Sequence, residues 1–336
     1  MDLQPSVDQQ DVTASVAQYL GKELSRADLH ERLRTGAAVP ATSWPRAAGL
    51  GLFSLGLPEE AGGAGCAVVE EALVARELGR QLAPVGFLGS VLGARVAHAA
   101  GDDAVRDALA EGRARVAVAL PARPGADGLD VLDLPGADWV LLTDDGAVAL
   151  SAVSAAGAEQ VESLDPSTTL SRLPLTSLGA RLAPGPPHQR ELALLGRLLV
   201  AGMLVGIAEA ARDASVEYAR TREQFGRPIG VFQAVKHPIA DMATRCEAAT
   251  SLLSFAALAL RDGRPDADFQ VASAKRVAGR AAVDTARVDV QVHGGMGFTW
   301  ENDAHLFLTR AHLLDQLFGD QHAVRADLLA HAPAMP

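Results

Sequence analysis

The chain has 336 residues, enough for two or three domains' worth of core. A net charge of −11 argues against nucleic acid as its default partner. Its two cysteines, Cys66 and Cys246, lie far apart and outside any paired motif, which argues against a disulfide framework or a zinc site and favours a reducing cytoplasm. Nearly half of the residues are hydrophobic, yet aromatics make up only 4%, and the abundant alanine suits closely packed helices. Met1–Pro5 shows no basic and apolar leader pattern, so no signal peptide is expected.

In chain order, residues 8–36 read as helical. Ser43-Trp44-Pro45 then restarts the chain as a serine cap with proline behind it. Leu57–Gly65 is a glycine-rich turn, and amphipathic helices are expected over about 68–82, 86–99 and 103–111. The middle changes character. Val116–Leu120, Trp139–Thr143 and Ala147–Leu150 are strand-like runs, the last two joined by a hairpin signal at Asp144-Asp145-Gly146. Pro184–Pro187 reads as a linker, and helices follow at about 189–221, 232–261, 266–293, 301–313 and 315–331. Three of them, each about 30 residues long, predict a bundle that also packs against other copies or partners. The apolar run Leu192–Ala208 looks membrane-like, but Arg197 and Glu209 interrupt or bound it, so it is expected as a buried bundle helix. The fold class is α+β, with a helical domain over 1–114, a small β domain over 115–183 and a helical bundle over 189–336.

Two stretches carry chemistry. In 221–237, Arg222 offers a planar, bidentate cation suited to a pyrophosphate, and Phe225 can cover a flat ring. In 291–301, Gln291 can donate and accept, and Gly294-Gly295 lets backbone N–H groups approach phosphate or ribose. Singly, each has a plain explanation, such as a glycine pair closing a helix. His293, His305 and His312 suggest a metal, but His305 and His312 are seven apart, not at the spacing of a helical ligand pair, so no metal site is expected.

Together, Arg222–Gly226 with Phe232-Gln233, Gln291–Gly295 with Gly297-Phe298-Thr299, and Pro58–Gly63 resemble the motifs of the acyl-CoA dehydrogenase family. The resemblance is specific over the last ~130 residues and poor in the middle. It implies a tetramer in which FAD straddles a subunit interface. The adenosine-pyrophosphate end would be held by Arg222, Gln224, Phe225, Gln233, Gln291, Gly294 and Gly295, and the flavin ring by the β domain of the neighbouring subunit.

Family members remove the α-proton of an acyl-CoA thioester with a glutamate at one of two positions, while the β-hydride goes to the flavin. Here those positions fall on Gly196, in Leu195-Gly196-Arg197-Leu198, and Gly319, in Gln316–Asp320. Asp320 lies one residue off, and Glu191 is five residues from Gly196, at the wrong helical spacing. The family's flavin-ring segment has its counterpart at Leu120–Gly125, without the hydroxyl and carboxylate residues, and Trp139 reads as core. The resemblance thus points to the shortened subunit of actinobacterial heterotetrameric acyl-CoA dehydrogenases, enzymes of fatty-acid or steroid side-chain breakdown, paired with a second, full-length subunit. Two alternatives remain: a homo-oligomeric dehydrogenase using Asp320 as base, and a non-enzymatic acyl-CoA-binding or scaffold protein.

Overall fold

The computed structural model describes residues 3–35, 38–122, 125–144 and 146–332. Six helices come first: α1 (Val7–Glu23), α2 (Arg26–Thr35), α3 (Ser43–Gly49), α4 (Val68–Arg80), α5 (Val85–Ala99) and α6 (Asp103–Ala110). Ser6 and Gln9 form a reciprocal capping box at the start of α1, and Asp102 caps α6 through the N–H of Val105. The single helical stretch expected over 8–36 is two helices. Leu24 leaves helical geometry, and Ser25 with Asp28 makes a second box: the Ser25 N–H donates to Asp28 (3.2 Å) and the Asp28 N–H to Ser25 Oγ (3.1 Å). Position 36 lies outside the described residues. Ser43 is not a side-chain cap; it is buried inside α3, its N–H bonded to Pro40 and its carbonyl accepting from Tyr19.

Among the described residues, the middle of the chain forms a seven-stranded sheet rather than three recognisable strands. The strands are β1 (Val116–Ala119), β2 (Gly128–Leu132), β3 (Trp139–Asp144), β4 (Ala147–Val153), β5 (Glu159–Val161), β6 (Leu170–Pro174) and β7 (Leu178–Leu182). Their order is β5-β6-β2-β1-β3-β4-β7; β1 and β3 run parallel and every other pair is antiparallel. Only β1, β3 and β4 carry long apolar runs. The others are short or polar and owe their conformation to cross-strand pairing, as where Asp130 faces Arg172 in register and bonds it at 3.1 Å. The β3–β4 hairpin pairs Asp144 with Ala147; Asp145 of the expected turn lies outside the described residues. The strands divide by alternation. Val116 and Val118 of β1 face the main core, Ala117 and Ala119 a smaller one behind the sheet. Trp139 is half-buried against the main core.

The remaining elements are α7 (Pro186–Thr221), β8 (Glu223–Gln224), β9 (Arg227–Pro228), α8 (Gln233–Arg261), α9 (Ala267–His293), α10 (Ala304–Asp315) and α11 (Gln321–Ala330). The expected linker is already partly helix: α7 begins at Pro186, where a missing N–H costs nothing. The apolar part of α7 is long enough to cross a membrane, but 83% of that window is buried inside the fold. Glycines let α4 and α7 touch backbone to backbone. A Cβ at Gly79 would sit 1.9 Å from the Met203 carbonyl oxygen, and one at Gly206 1.9 Å from that of Arg76. The void nearby, lined by Leu52, Val74, Leu78, Leu88 and Leu199, measures only about 10 Å³, room for one water at most. The small residues of α7 therefore serve close helix packing, not a wide cavity.

A buried arginine ties three parts of the chain together. Arg310 of α10 donates to the Asp165 carboxylate, to the Ala83 carbonyl (2.7 Å) and to Ser167 Oγ (2.8 Å). Asp165 and Ser167 precede β6, and Ala83 joins α4 to α5, so one satisfied guanidinium sets how the bundle sits on the sheet and the first helices.

Candidate functional site

The two motif stretches meet at one end of the bundle, because α7 and α9 end side by side. Past α7, β8 and β9 form a two-residue hairpin in which Gln224 pairs with Arg227. Its turn is Phe225-Gly226, with φ of +56° and +74°, the positive pair a type I′ turn requires. Glycine and asparagine fill such positions readily; phenylalanine is strained there by about 1–3 kcal/mol. Phe225 is nonetheless 91% exposed. Its ring meets the edge of Phe232, at 6.1 Å between ring centres, while Arg227 lies over the Phe232 face at 4.7 Å. A strained aromatic held out to solvent suggests a role outside the chain's own packing.

Arg222, Gln224, Gln233, Gln291, Gly294 and Gly295 are exposed as well. Among the described residues, no ion pair or side-chain hydrogen bond holds the Arg222 guanidinium. At the end of α9, Gly294 takes φ +59°, ψ −138°, a combination reserved for glycine. A Cβ at Gly294 or Gly295 would meet nothing within 4 Å, so packing inside the chain does not require the bare backbone at 295. These features fit the anionic arm of a dinucleotide: a free guanidinium, an exposed ring and an open glycine turn.

The two glycines at the base positions lie in a second place, where α7 meets the α10–α11 turn. A cavity of about 670 Å³ opens there, with Thr143 and Val148 from the sheet, Ala193 and Arg197 from α7, and Phe318 and Asp320 from the turn. Pro121 and Ala122 also border it; Arg123 and Pro124 of the same segment lie outside the described residues. Both glycines are structurally enforced. A Cβ at Gly196 would fall 2.2 Å from the Phe318 ring, so that ring fills the space a side chain would need. Gly319 has φ +99°, with Arg197 Nη2 3.2 Å from where its Cβ would stand.

The turn itself is locked from below. Arg197 Nε donates to the Phe318 carbonyl (2.9 Å) and Nη2 pairs with Asp327 (2.7 Å). Buried Lys275 donates to the Asp315 carbonyl (3.0 Å) and the Gly319 carbonyl (3.3 Å), and pairs with the Asp315 carboxylate (3.3 Å). Burial pulls the Lys275 ammonium down to about 8, against the pull of the Asp315 carboxylate. Asp320 caps α11: Oδ1 accepts from the N–H groups of His322 (2.9 Å) and Ala323 (2.8 Å). Glu191 is exposed on α7. Sequence reasoning missed Arg197, Lys275 and Asp315, whose partners are remote in sequence and follow no local pattern.

The family description "Acyl-CoA dehydrogenase, N-terminal domain" matches residues 6–115, and "Acyl-CoA dehydrogenase, C-terminal domain" matches residues 189–332. The sheet lies in the interval that neither covers. The acyl-CoA dehydrogenase IpdE2 of Mycobacterium tuberculosis is 32% identical over 316 residues, 93% of each chain. Among solved structures, a chain of the ChsE4–ChsE5 complex from Mycobacterium tuberculosis superposes with a TM-score of 0.83 at 25% identity, over 99% of this chain and 100% of that one. Butyryl-CoA dehydrogenase from Megasphaera elsdenii shares the fold, with a TM-score of 0.80 at 22% identity over 98% of this chain and 99% of that one. With both terminal regions matched and a relative aligned along almost its whole length, this chain belongs to the acyl-CoA dehydrogenase family.

Proposed function

We propose that the chain is a subunit of a flavin-dependent acyl-CoA dehydrogenase that supplies no catalytic base and completes an FAD site shared with a second, full-length subunit. One observation carries the reading: both base positions are glycine and neither has room or backbone geometry for glutamate, Gly196 because Phe318 occupies its space and Gly319 because of its φ of +99°. When bound, FAD supplies the acceptor for the β-hydride in the α,β-dehydrogenation of an acyl-CoA. This chain's part is to bind and orient. Arg222 would pair with the pyrophosphate, Gln224, Gln233 and Gln291 would offer amide hydrogen bonds, Phe225 would cover a ring face, and Gly294-Gly295 would present backbone N–H groups. Exposed Phe298 and Trp300 beside these residues form an apolar surface suited to cover by another subunit. Similarity to a chain of the ChsE4–ChsE5 complex, itself an assembly of two different proteins, supports the divided arrangement.

The flavin-to-chain ratio of the purified native assembly tests this. One FAD per two chains is expected; a yellow, active homo-oligomer of this chain alone overturns it.

A second reading has one observation behind it: Asp320 borders the cavity. To act as a base its carboxylate would have to share or release the two N–H groups it caps. Asparagine caps equally well, so Asp320→Asn isolates the chemistry. Unchanged turnover in that variant excludes Asp320 as base.

A further inference from the structure

The ends of α7 and α9 are joined by a largely buried polar network that has no part in the reading so far. The Tyr218 and His293 rings stack at 4.2 Å, 28° from parallel. Arg222 hangs from the same tyrosine, its N–H donating to the Tyr218 carbonyl at 2.8 Å. His293 is the residue immediately before Gly294. The stack therefore links the backbone that carries Arg222 to the backbone that carries the glycine turn. One turn deeper, Ser215 Oγ donates to Asp289 Oδ1 at 2.6 Å, a second link between the same two helices. His293 Nδ1 lies 2.9 Å from the Asp289 carbonyl and 3.2 Å from Asp289 Oδ1. A carbonyl oxygen only accepts, so Nδ1 carries the proton and Nε2 is the atom that titrates.

We propose that Tyr218, Asp289 and His293 are positioning residues that hold Arg222 and the Gly294-Gly295 turn at one fixed separation, so that both engage the same dinucleotide pyrophosphate. This rests on the reading of that surface as half of an FAD site. Arg222 and the glycine turn are both exposed; the stack and the Ser215–Asp289 bond join the packed pair of α7 and α9 next to them. Asp289 is fully buried, and its Oδ2 has no hydrogen-bond partner among the described residues. A buried carboxylate with one oxygen idle is costly unless it faces a cation, and the adjacent imidazole, when protonated, is that cation. Burial pushes His293 down, but hydrogen bonds to the Asp289 side chain and carbonyl, with its charge, outweigh this and raise it. The groups facing His293 are Asp289 on its own helix, Tyr218 on α7 and Asp303 ahead of α10. Protonation tightens the link to Asp289, and deprotonation loosens it.

The test measures FAD affinity of the native assembly by flavin fluorescence from pH 6 to 9, with Arg222→Ala as reference. Wild-type affinity is expected to fall as pH rises through the His293 titration. His293→Gln should bind FAD roughly tenfold more weakly at pH 6, about one hydrogen bond's contribution, with a flat profile. Tyr218→Phe should keep wild-type behaviour, because the stack survives, and Tyr218→Leu should not. Asp289→Asn gives an independent reading should His293→Gln not assemble. If Arg222→Ala weakens FAD binding while His293→Gln, Asp289→Asn and Tyr218→Leu keep the wild-type affinity and profile, the positioning role is overturned. If Arg222→Ala itself binds FAD normally, the half-site reading fails first, and the inference with it.

Discussion

Phe225 and Gly196 depart from local preference in opposite ways. Phe225 sits at a positive φ with little packing reward, being 91% exposed and meeting only one edge-on ring contact in Phe232 among the described aromatic pairs. Asparagine tolerates that conformation far better. Phe225→Asn should therefore raise stability by about 0.5 kcal/mol: relief of about 1 kcal/mol of strain, less about 0.5 kcal/mol for the lost edge contact with Phe232. The same substitution should weaken FAD binding by the assembly. A urea melt and a flavin titration read both, and a loss of stability would refute the strain argument. At Gly196 the constraint is volume. Gly196→Glu should destabilise by about 2–3 kcal/mol and confer no dehydrogenation, because the Phe318 ring already occupies the space. Any gain of activity in that variant would show that the ring yields readily.

Between helices, the α10–α11 turn is held by donors from two others: Arg197 from α7 and Lys275 from α9. Lys275 has a consequence for pH. Its folded pKa of about 8 lies below the unfolded value of 10.5, so between these values the unfolded chain binds more protons. Stability must then rise with pH across that window. Other groups titrate nearby, such as Cys246, which burial pushes up to about 11. They are common to wild type and variant and cancel in a comparison. The urea midpoint of wild type minus that of Lys275→Met should climb from pH 8 to pH 10. A flat difference would mean that the ammonium is not desolvated.

For the molecule as a whole, the exposed motif residues and the two glycines at 196 and 319 lie in different places. The motif surface offers a guanidinium unpaired among the described residues, an outward phenylalanine and an open glycine turn, all exposed. Expressed alone, the chain should purify without flavin. Co-expressed with a full-length acyl-CoA dehydrogenase subunit that binds it, it should acquire FAD and a larger particle mass, which absorbance and light scattering together read. Flavin retained by the chain alone would contradict this.

Much was legible from residues alone. Helical periodicity located the long helices to within a few positions, because their buried faces repeat along the chain. Arg222, Phe225 and Gly294-Gly295 stood out because a guanidinium, an aromatic ring and a bare backbone belong to residue type; that the guanidinium is unpaired among the described residues and the ring exposed came only from the fold. That residues 196 and 319 are glycine was equally plain. Contacts remote in sequence decided the rest. Four of the seven strands owe their conformation to partners rather than to their own pattern. The Phe225-Gly226 turn, the Phe318 ring against Gly196, the buried Lys275 and the stack of Tyr218 on His293 each depend on chain segments that folding alone brings together. Identity and local period can be read from a string of residues; the space beside a residue, and the partner that fills it, exist only once the chain has packed.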